Sequence, residues 1–172
     1  MNDLLLLAML LDGPKYGYQL KRQAGWMMGQ DLHNNIVYPM LRRFLNEGWV
    51  NKKSVPGERG QTRQQYALTA EGKRNFFERI RAFSEDDSAS AEAFYLRLGV
   101  FAALDSETRH RILSARDAFL ERRDQTLSGL QEKMDLGKFG GEIVRHMRGQ
   151  IEMDREWIRH LRRMAKAEKV SK

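Results

Sequence analysis

Two asparagines, a tyrosine and two arginines crowd one short segment of the chain: Asn34, Asn35, Tyr38, Arg42 and Arg43. None of these side chains forms a nucleophile–base arrangement. They are hydrogen-bonding groups with a known complement. Asn pairs bidentately with an adenine edge, and Arg pairs with guanine or with phosphate. A second set of cations, Lys52, Lys53, Arg59 and Arg63, follows close behind with only Glu58 opposing it. The chemistry that such a pair of sets performs is recognition of a polyanion rather than bond making.

Defined elements must hold these groups. Ile36, Met40, Leu41, Phe44, Leu45 and Val50 recur at helical spacing, so residues 34–47 read as an amphipathic helix with the asparagines at its leading end. Gly48 suits the helix C-terminus. An extended run opens at Trp49-Val50, Pro56-Gly57-Glu58-Arg59-Gly60 carries turn chemistry, and Gln64-Gln65-Tyr66-Ala67-Leu68 returns. Thr69 is a good N-cap for the next helix, expected to run from about Ala70 to Phe83. Upstream, Leu4 to Leu11 makes a first helix ended by Gly13-Pro14. Gly17 to Met28 makes a second, with Tyr18, Leu20 and Ala24 as candidate core residues, and Gly29-Gln30-Asp31 turns into the third. Helix, helix, helix and two-stranded wing is a winged helix-turn-helix. In that frame the 34–47 helix reads bases with Asn34, Asn35 and Tyr38, while Arg42 and Arg43 hold phosphate or pack. Lys52, Lys53, Arg59 and Arg63 grip the backbone from the wing, and Tyr16, Tyr18 and Lys21 on the second helix touch phosphate.

The chain resembles the PadR family of bacterial transcriptional regulators. The resemblance lies in Leu4 to Leu10, in Gly13-Pro14-Lys15-Tyr16-Gly17-Tyr18-Gln19-Leu20, in Tyr38-Pro39-Met40-Leu41-Arg42-Arg43, in Glu47-Gly48 and in Tyr66-Ala67-Leu68-Thr69-Ala70-Glu71-Gly72. It covers about the first half of the chain and continues more loosely through Phe94-Tyr95-Leu96-Arg97-Leu98. Two departures bear on the DNA sequence read and not on the fold: the bulky Asn34-Asn35-Ile36-Val37 before Tyr38-Pro39, and Gly60-Gln61-Thr62-Arg63 on the hairpin. The resemblance implies a repressor. It also implies a small aromatic or hydrophobic effector, held among Trp26, Met27, Met28, Phe94, Tyr95, Phe101 and Trp157, although these residues also suit plain core.

Charge points the same way. The net charge is +7, of which +6 falls in residues 1–82. A polyanionic partner explains that asymmetry, because neutralising phosphate drives affinity. There is no cysteine, which excludes a disulfide framework and thiolate metal sites. The four histidines, His33, His110, His146 and His160, have no metal-binding spacing, so neither metal nor cofactor is expected. The apolar start is flanked by Asp3 and Asp12, unlike a secretory signal, and is too short to span a membrane. A cytoplasmic protein is expected, and no catalytic constellation argues for an enzyme.

Three segments result: a winged helix-turn-helix over residues 1–83, an acidic junction over 84–90 (SEDDSAS), and a helical dimerisation domain over 91–172. The fold class is mainly α with a small β-hairpin. In the last domain Phe94, Leu98, Phe101 and Ala102 follow helical spacing, a long helix runs from Asp105-Ser106 to about Met134, Gly137, Gly140 and Gly141 break the chain, and a final helix runs from Glu142 to about Lys169. Val144, Met147, Ile151, Asp154, Ile158, Leu161 and Ala165 alternate three and four apart, a heptad seam. It suits either a hairpin with the preceding helix or a homodimer interface at Val144, Met147, Ile151, Ile158 and Leu161. The dimer is favoured, because a winged helix reads a palindromic site with two copies. Asp154 interrupts the seam and needs a cation, for which Arg122 or Arg123 is the candidate. The whole reading is a homodimer on double-stranded DNA. The alternative is an adaptor that keeps the winged helix and binds another protein through its C-terminal helices.

Overall fold

The computed structural model describes residues 2–28, 34–56 and 61–167, with side chains for 2–24, 36–56 and 61–166. The elements are α1 (Asn2–Met9), β1 (Lys15–Tyr16), α2 (Gly17–Met28), α3 (Asn34–Asn46), β2 (Val50–Pro56), β3 (Thr62–Leu68), α4 (Ala70–Arg81), α5 (Glu85–Ala89), α6 (Ala91–Leu98), α7 (Ser106–Lys133) and α8 (Gly137–Ala167), with a 3-10 turn at Phe101–Ala103. They form two compact units, Met1–Ala82 and Phe83–Lys172.

The first unit is built on aliphatic burial. Leu6, Leu7, Leu20, Ala24, Val37, Leu41, Phe44, Phe76 and Ile80 are all but inaccessible. From Leu4 to Met9 α1 is apolar on every side, as a helix enclosed by its neighbours must be. In α3 the buried positions are Val37, Leu41 and Phe44, with Ile36, Met40 and Leu45 half-buried around them. Gly48, at φ +71°, closes α3. Its N–H reaches Leu45 O and the Trp49 N–H reaches Phe44 O, a left-handed termination that spends orphan carbonyls.

The sheet is antiparallel in the order β1-β3-β2, so it holds three strands where a two-stranded wing was expected. β1 is two residues long, Lys15 pairing with Tyr66 and Tyr16 with Gln65. So short a strand has no alternation to read. Tyr16 therefore stands in β1 and not on the second helix, where its N–H is bonded by Gln19 Oε1 at 2.8 Å. Tyr18, a candidate core residue, is 48% exposed. At the base of the wing Gly72 passes so close to Trp49 that a Cβ there would lie 2.0 Å from the Trp49 carbonyl oxygen.

In the second unit, the acidic junction expected over residues 84–90 is itself largely helical. Ser84 and Asp87 form a reciprocal capping box that starts α5, and α5 packs on α7. Two buried arginines explain why an acidic run orders. Arg97 donates to Asp87 Oδ2 at 2.9 Å and to Ala93 O at 2.9 Å, with its guanidinium 4.7 Å from the Phe83 ring centre. Burial pushes the pKa of Arg97 down, and Asp87 works against that. Arg116 donates to Ser88 O at 2.7 Å and Ala89 O at 3.1 Å, satisfying the carbonyl end of α5.

α7 and α8 form an antiparallel hairpin joined by a ladder of ion pairs. Arg148 meets Asp124 at 2.8 Å, Arg155 meets Asp117 at 2.9 Å, and Arg162 meets Asp117 at 3.0 Å. The hydrogen bond from Arg148 holds the Asp124 carboxyl below the ordinary carboxylate range. Between these pairs Val144, Ile151 and Ile158 are buried, and Met147 and Leu161 half-buried, within the single chain. The heptad seam expected between two copies is thus covered by the chain's own α7. Asp154 meets Arg116, at 3.6 Å, rather than Arg122 or Arg123; Arg122 pairs with Glu85 at 2.9 Å. α8 also starts at Gly137, five residues before the expected Glu142. The Gly137 N–H is bonded by Asp135 Oδ1 at 2.9 Å, and Gly140 and Gly141 lie within the first turns.

Candidate nucleic-acid interface

On α3 the solvent side carries Tyr38, Arg42 and Arg43, all exposed. Asn34 and Asn35 open the helix, and their side chains lie outside the described residues. Pro39 sits inside α3. Having no N–H, it leaves the residue 35 carbonyl without its helical donor, one reason for the leading turn to look outward for partners.

Tyr38 is anchored rather than loose. A Cβ on Gly17 would lie 2.9 Å from the Tyr38 ring, so α2 and α3 approach through a glycine and the ring covers it while remaining 40% exposed. Burial pushes the neighbouring Tyr66 phenol above its ordinary range, and the Tyr38 hydroxyl adds to the shift. Tyr16 and Tyr18 stack with centroids 5.8 Å apart and planes 10° from parallel. Lys21 is half-buried, one turn on along α2.

Arg43 has another employment. Its Nη2 lies 2.7 Å from Asp3 Oδ2, and Asp3 also takes Arg79 at 3.3 Å. Burial alone would raise the Asp3 carboxyl, but a backbone N–H and the guanidiniums of Arg79 and Arg43 outweigh it and hold the pKa below the ordinary value. Arg43 therefore ties α3 to α1 while staying half exposed, and Asp3 carries the link on to Arg79 of α4; Arg42 is exposed beside it.

The strand register sorts the wing. Successive side chains point to opposite faces. Lys15, Tyr66 and Lys52 lie in one row across the sheet, and Tyr16, Gln65 and Lys53 lie in the next row, on the other face. Arg63, opposite Val55, shares the face of Lys53 and is half-buried. Lys52 and Lys53 are exposed. Arg59 lies outside the described residues. Farther out, Ser54 and Gln64 bond each other across the strands at 3.1–3.3 Å. Lys15 and Gln64 are the two groups that sequence reasoning missed. Lys15 joins the cation row only once β1 is known to pair, and Gln64 faces the Ser54 side only once the register is known.

Of the aromatic residues considered for an effector, Trp26, Met27 and Met28 have side chains outside the described residues. In the second unit Trp157 meets Phe94 edge-on at 6.1 Å and Tyr95 at 5.9 Å, and Phe101 is half-buried in the 3-10 turn. Among the described residues no group of His, Cys, Asp and Glu has metal-binding geometry, and no helix is long and apolar enough to cross a membrane.

The family model described as "Transcriptional regulator PadR-like family" matches residues 6–78. Solved structures similar to the chain include Bacillus subtilis PadR in complex with operator DNA, at 16% identity, covering 95% of this chain and 98% of that one with a TM-score of 0.47. A PadR-like transcription factor from Bacteroides fragilis is similar at 20% identity, covering 51% and 84% with a TM-score of 0.45. A transcriptional regulator from Clostridium thermocellum is similar at 20% identity, covering 47% and 80% with a TM-score of 0.43. No curated protein matches the chain in sequence.

Proposed function

We propose, from the match of residues 6–78 to the model of the transcriptional regulator PadR-like family, that the chain is a cytoplasmic repressor of that family that binds a palindromic operator as a homodimer and is released by a small hydrophobic or aromatic effector. α3 enters a major groove, Asn34 and Asn35 lead, and Tyr38 and Arg42 follow along its exposed side. The wing carries the backbone contacts through Lys52, Lys53, Arg59 and Arg63, joined by Lys15. The observation that supports this reading most is the convergence of a solvent-facing α3 with a cross-sheet row, Lys15–Tyr66–Lys52, in the unit that holds nearly all of the net positive charge. A helix that meets base edges near its N-terminus, flanked by cations that neutralise phosphate, is the division of labour expected of a sequence reader.

The test is duplex binding measured against salt concentration. Affinity should fall steeply as salt rises. Lys52→Ala with Lys53→Ala should weaken specific and random duplexes alike and reduce the salt slope by about 1 for each phosphate no longer neutralised. Asn34→Ala or Asn35→Ala should instead cost about 1–3 kcal/mol on a selected site and much less on random DNA. A wild-type chain indifferent to DNA at low salt would refute the reading and favour a protein-binding adaptor.

A further inference from the structure

The register of the wing sorts its polar groups onto two opposite faces. Val50 and Tyr66 are buried and share one face, so that face is turned to the helices. Burial first, and the Tyr38 hydroxyl second, push the Tyr66 phenol up, so Tyr38 of α3 stands close to the same face. Lys15 and Lys52 flank Tyr66 in its row, about 10 Å apart across two interstrand steps. Ser54 and Gln64 continue this face outward. Gln64 Nε2 donates to Ser54 Oγ at 3.1 Å, which fixes the amide and leaves its second hydrogen for another acceptor. None of these residues is acidic. Tyr38 is seated beside them, since a Cβ on Gly17 would lie 2.9 Å from its ring and 3.3 Å from its hydroxyl oxygen. Lys53 and Arg63 stand on the other face.

We propose that the two faces hold different DNA strands. Tyr38, Lys15, Lys52 and Gln64 grip the strand that runs between the major groove read by α3 and the adjoining minor groove, and Lys53 and Arg63 meet the strand on the far side of that minor groove. The inference rests on the DNA-binding reading of α3 and the wing, and adds which strand each group holds. With α3 in a major groove, the hairpin that follows it comes over the adjoining minor groove. A single sugar–phosphate backbone separates the two grooves, so it passes through the angle between α3 and the wing. The walls of that angle are the exposed side of α3 and the Tyr66 face of the sheet. Phosphate oxygens accept hydrogen bonds from every donor standing there: two ammoniums, a phenol hydroxyl and an amide N–H. Lys53 and Arg63 point away from the angle. The minor groove is only about 6 Å wide, so its second strand lies within reach of the face they share.

The experiment takes the full-length chain and a duplex that it selects from random sequence. Phosphates of a half-site are replaced by neutral methylphosphonates in one strand or in the other. Lys52→Ala and Lys53→Ala change exposed side chains. Each should weaken binding to the unmodified duplex about fivefold, the loss of one neutralised phosphate. Neutralising one strand should erase the effects of Lys52→Ala, Lys15→Ala and Tyr38→Phe and leave that of Lys53→Ala; neutralising the other strand should do the reverse. Effects of Lys52→Ala and Lys53→Ala erased by the same strand, or by neither, would overturn the assignment. So would a Tyr38→Phe effect that follows the strand of Lys53→Ala, or a Lys52→Ala variant that binds the unmodified duplex like wild type. A wild-type chain indifferent to every duplex at low salt would overturn the DNA-binding reading as well.

Discussion

Replacing Gly72 by alanine probes the joint where α4 passes the turn between α3 and β2. A Cβ at this position would lie 2.0 Å from the Trp49 carbonyl oxygen, 2.8 Å from its carbon and 2.9 Å from Cα, all backbone atoms. A flexible side chain could swing away, but a backbone has to move by about 1 Å to restore ordinary contact, and overpacking of this kind costs about 1–3 kcal/mol. The move is resisted from three directions. The Trp49 oxygen accepts the Thr69 N–H at 3.0 Å, the Thr69 hydroxyl lies 2.7 Å from Gly48 O and 3.1 Å from Trp49 O, and the same hydroxyl caps α4 by accepting the Gly72 N–H at 2.9 Å. Losing that cap adds about 1 kcal/mol. Alanine recovers up to ~1 kcal/mol through its better helix propensity. The net loss is about 1–3 kcal/mol, which in a cooperative unit of this size lowers the melting temperature by about 5–20 °C. Thermal and urea melts followed by circular dichroism measure it, and DNA affinity should fall in step near the melt, since Trp49 continues directly from α3. A Gly72→Ala variant within about 0.5 kcal/mol of wild type would refute the reasoning. So would a loss simply additive with that of Thr69→Ala, because one rigid joint should couple the two sites.

Two further changes test the packing of each unit. Asp3→Asn removes the negative charge shared by Arg43 and Arg79 and should cost about 1–2 kcal/mol at neutral pH. The Asp3 carboxyl is depressed in the folded state, so its contribution is present above the ordinary carboxylate pKa and lost as pH falls through that value and the lower folded one. The acid limb of a stability–pH profile should therefore be shallower in the variant, and identical limbs would remove Asp3 from that role. Ile151→Arg, in the intrachain seam, should unfold the second unit at lower temperature, whereas Met153→Arg, on the exposed stripe that Phe139, Ile143, Met153, Trp157 and Met164 make along α8, should leave the melt of dilute protein nearly unchanged. Equal melts for the two variants would contradict the assignment of the two faces of α8.

What the sequence disclosed follows from how much of each element's stability is local. α3 was legible because its buried residues recur at helical period, and Gly48 because only a left-handed residue ends that helix without strain. The Thr69 cap was legible for the same reason: cap chemistry acts over three or four residues. β1 was not, since its two residues are a strand only by virtue of β3. Residues 84–90 were read as a solvated junction because Ser, Glu and Asp favour water when nothing charged is near. Two arginines distant in sequence, Arg97 and Arg116, reverse that balance once α6 and α7 bring them in.

The two seams of α8 show the same limit from the other side. Periodicity reveals that a face is buried but not by what. Val144, Ile151 and Ile158 and the 139–164 stripe both satisfy a heptad, and the sequence favoured the more aliphatic one as the interface between copies. The ion pairs decide otherwise. Asp117 and Asp124 on α7 meet Arg162, Arg155 and Arg148 in reverse order along α8, which commits the aliphatic seam to the hairpin. Asp154 belongs to that commitment: its cation is Arg116, whose guanidinium also closes α5, so a charge that looked like a flaw in a dimer seam is a link between three elements of one chain. The seam left over is richer in methionine, histidine and aromatic residues. That composition tolerates exposure to water better than a pure aliphatic stripe would.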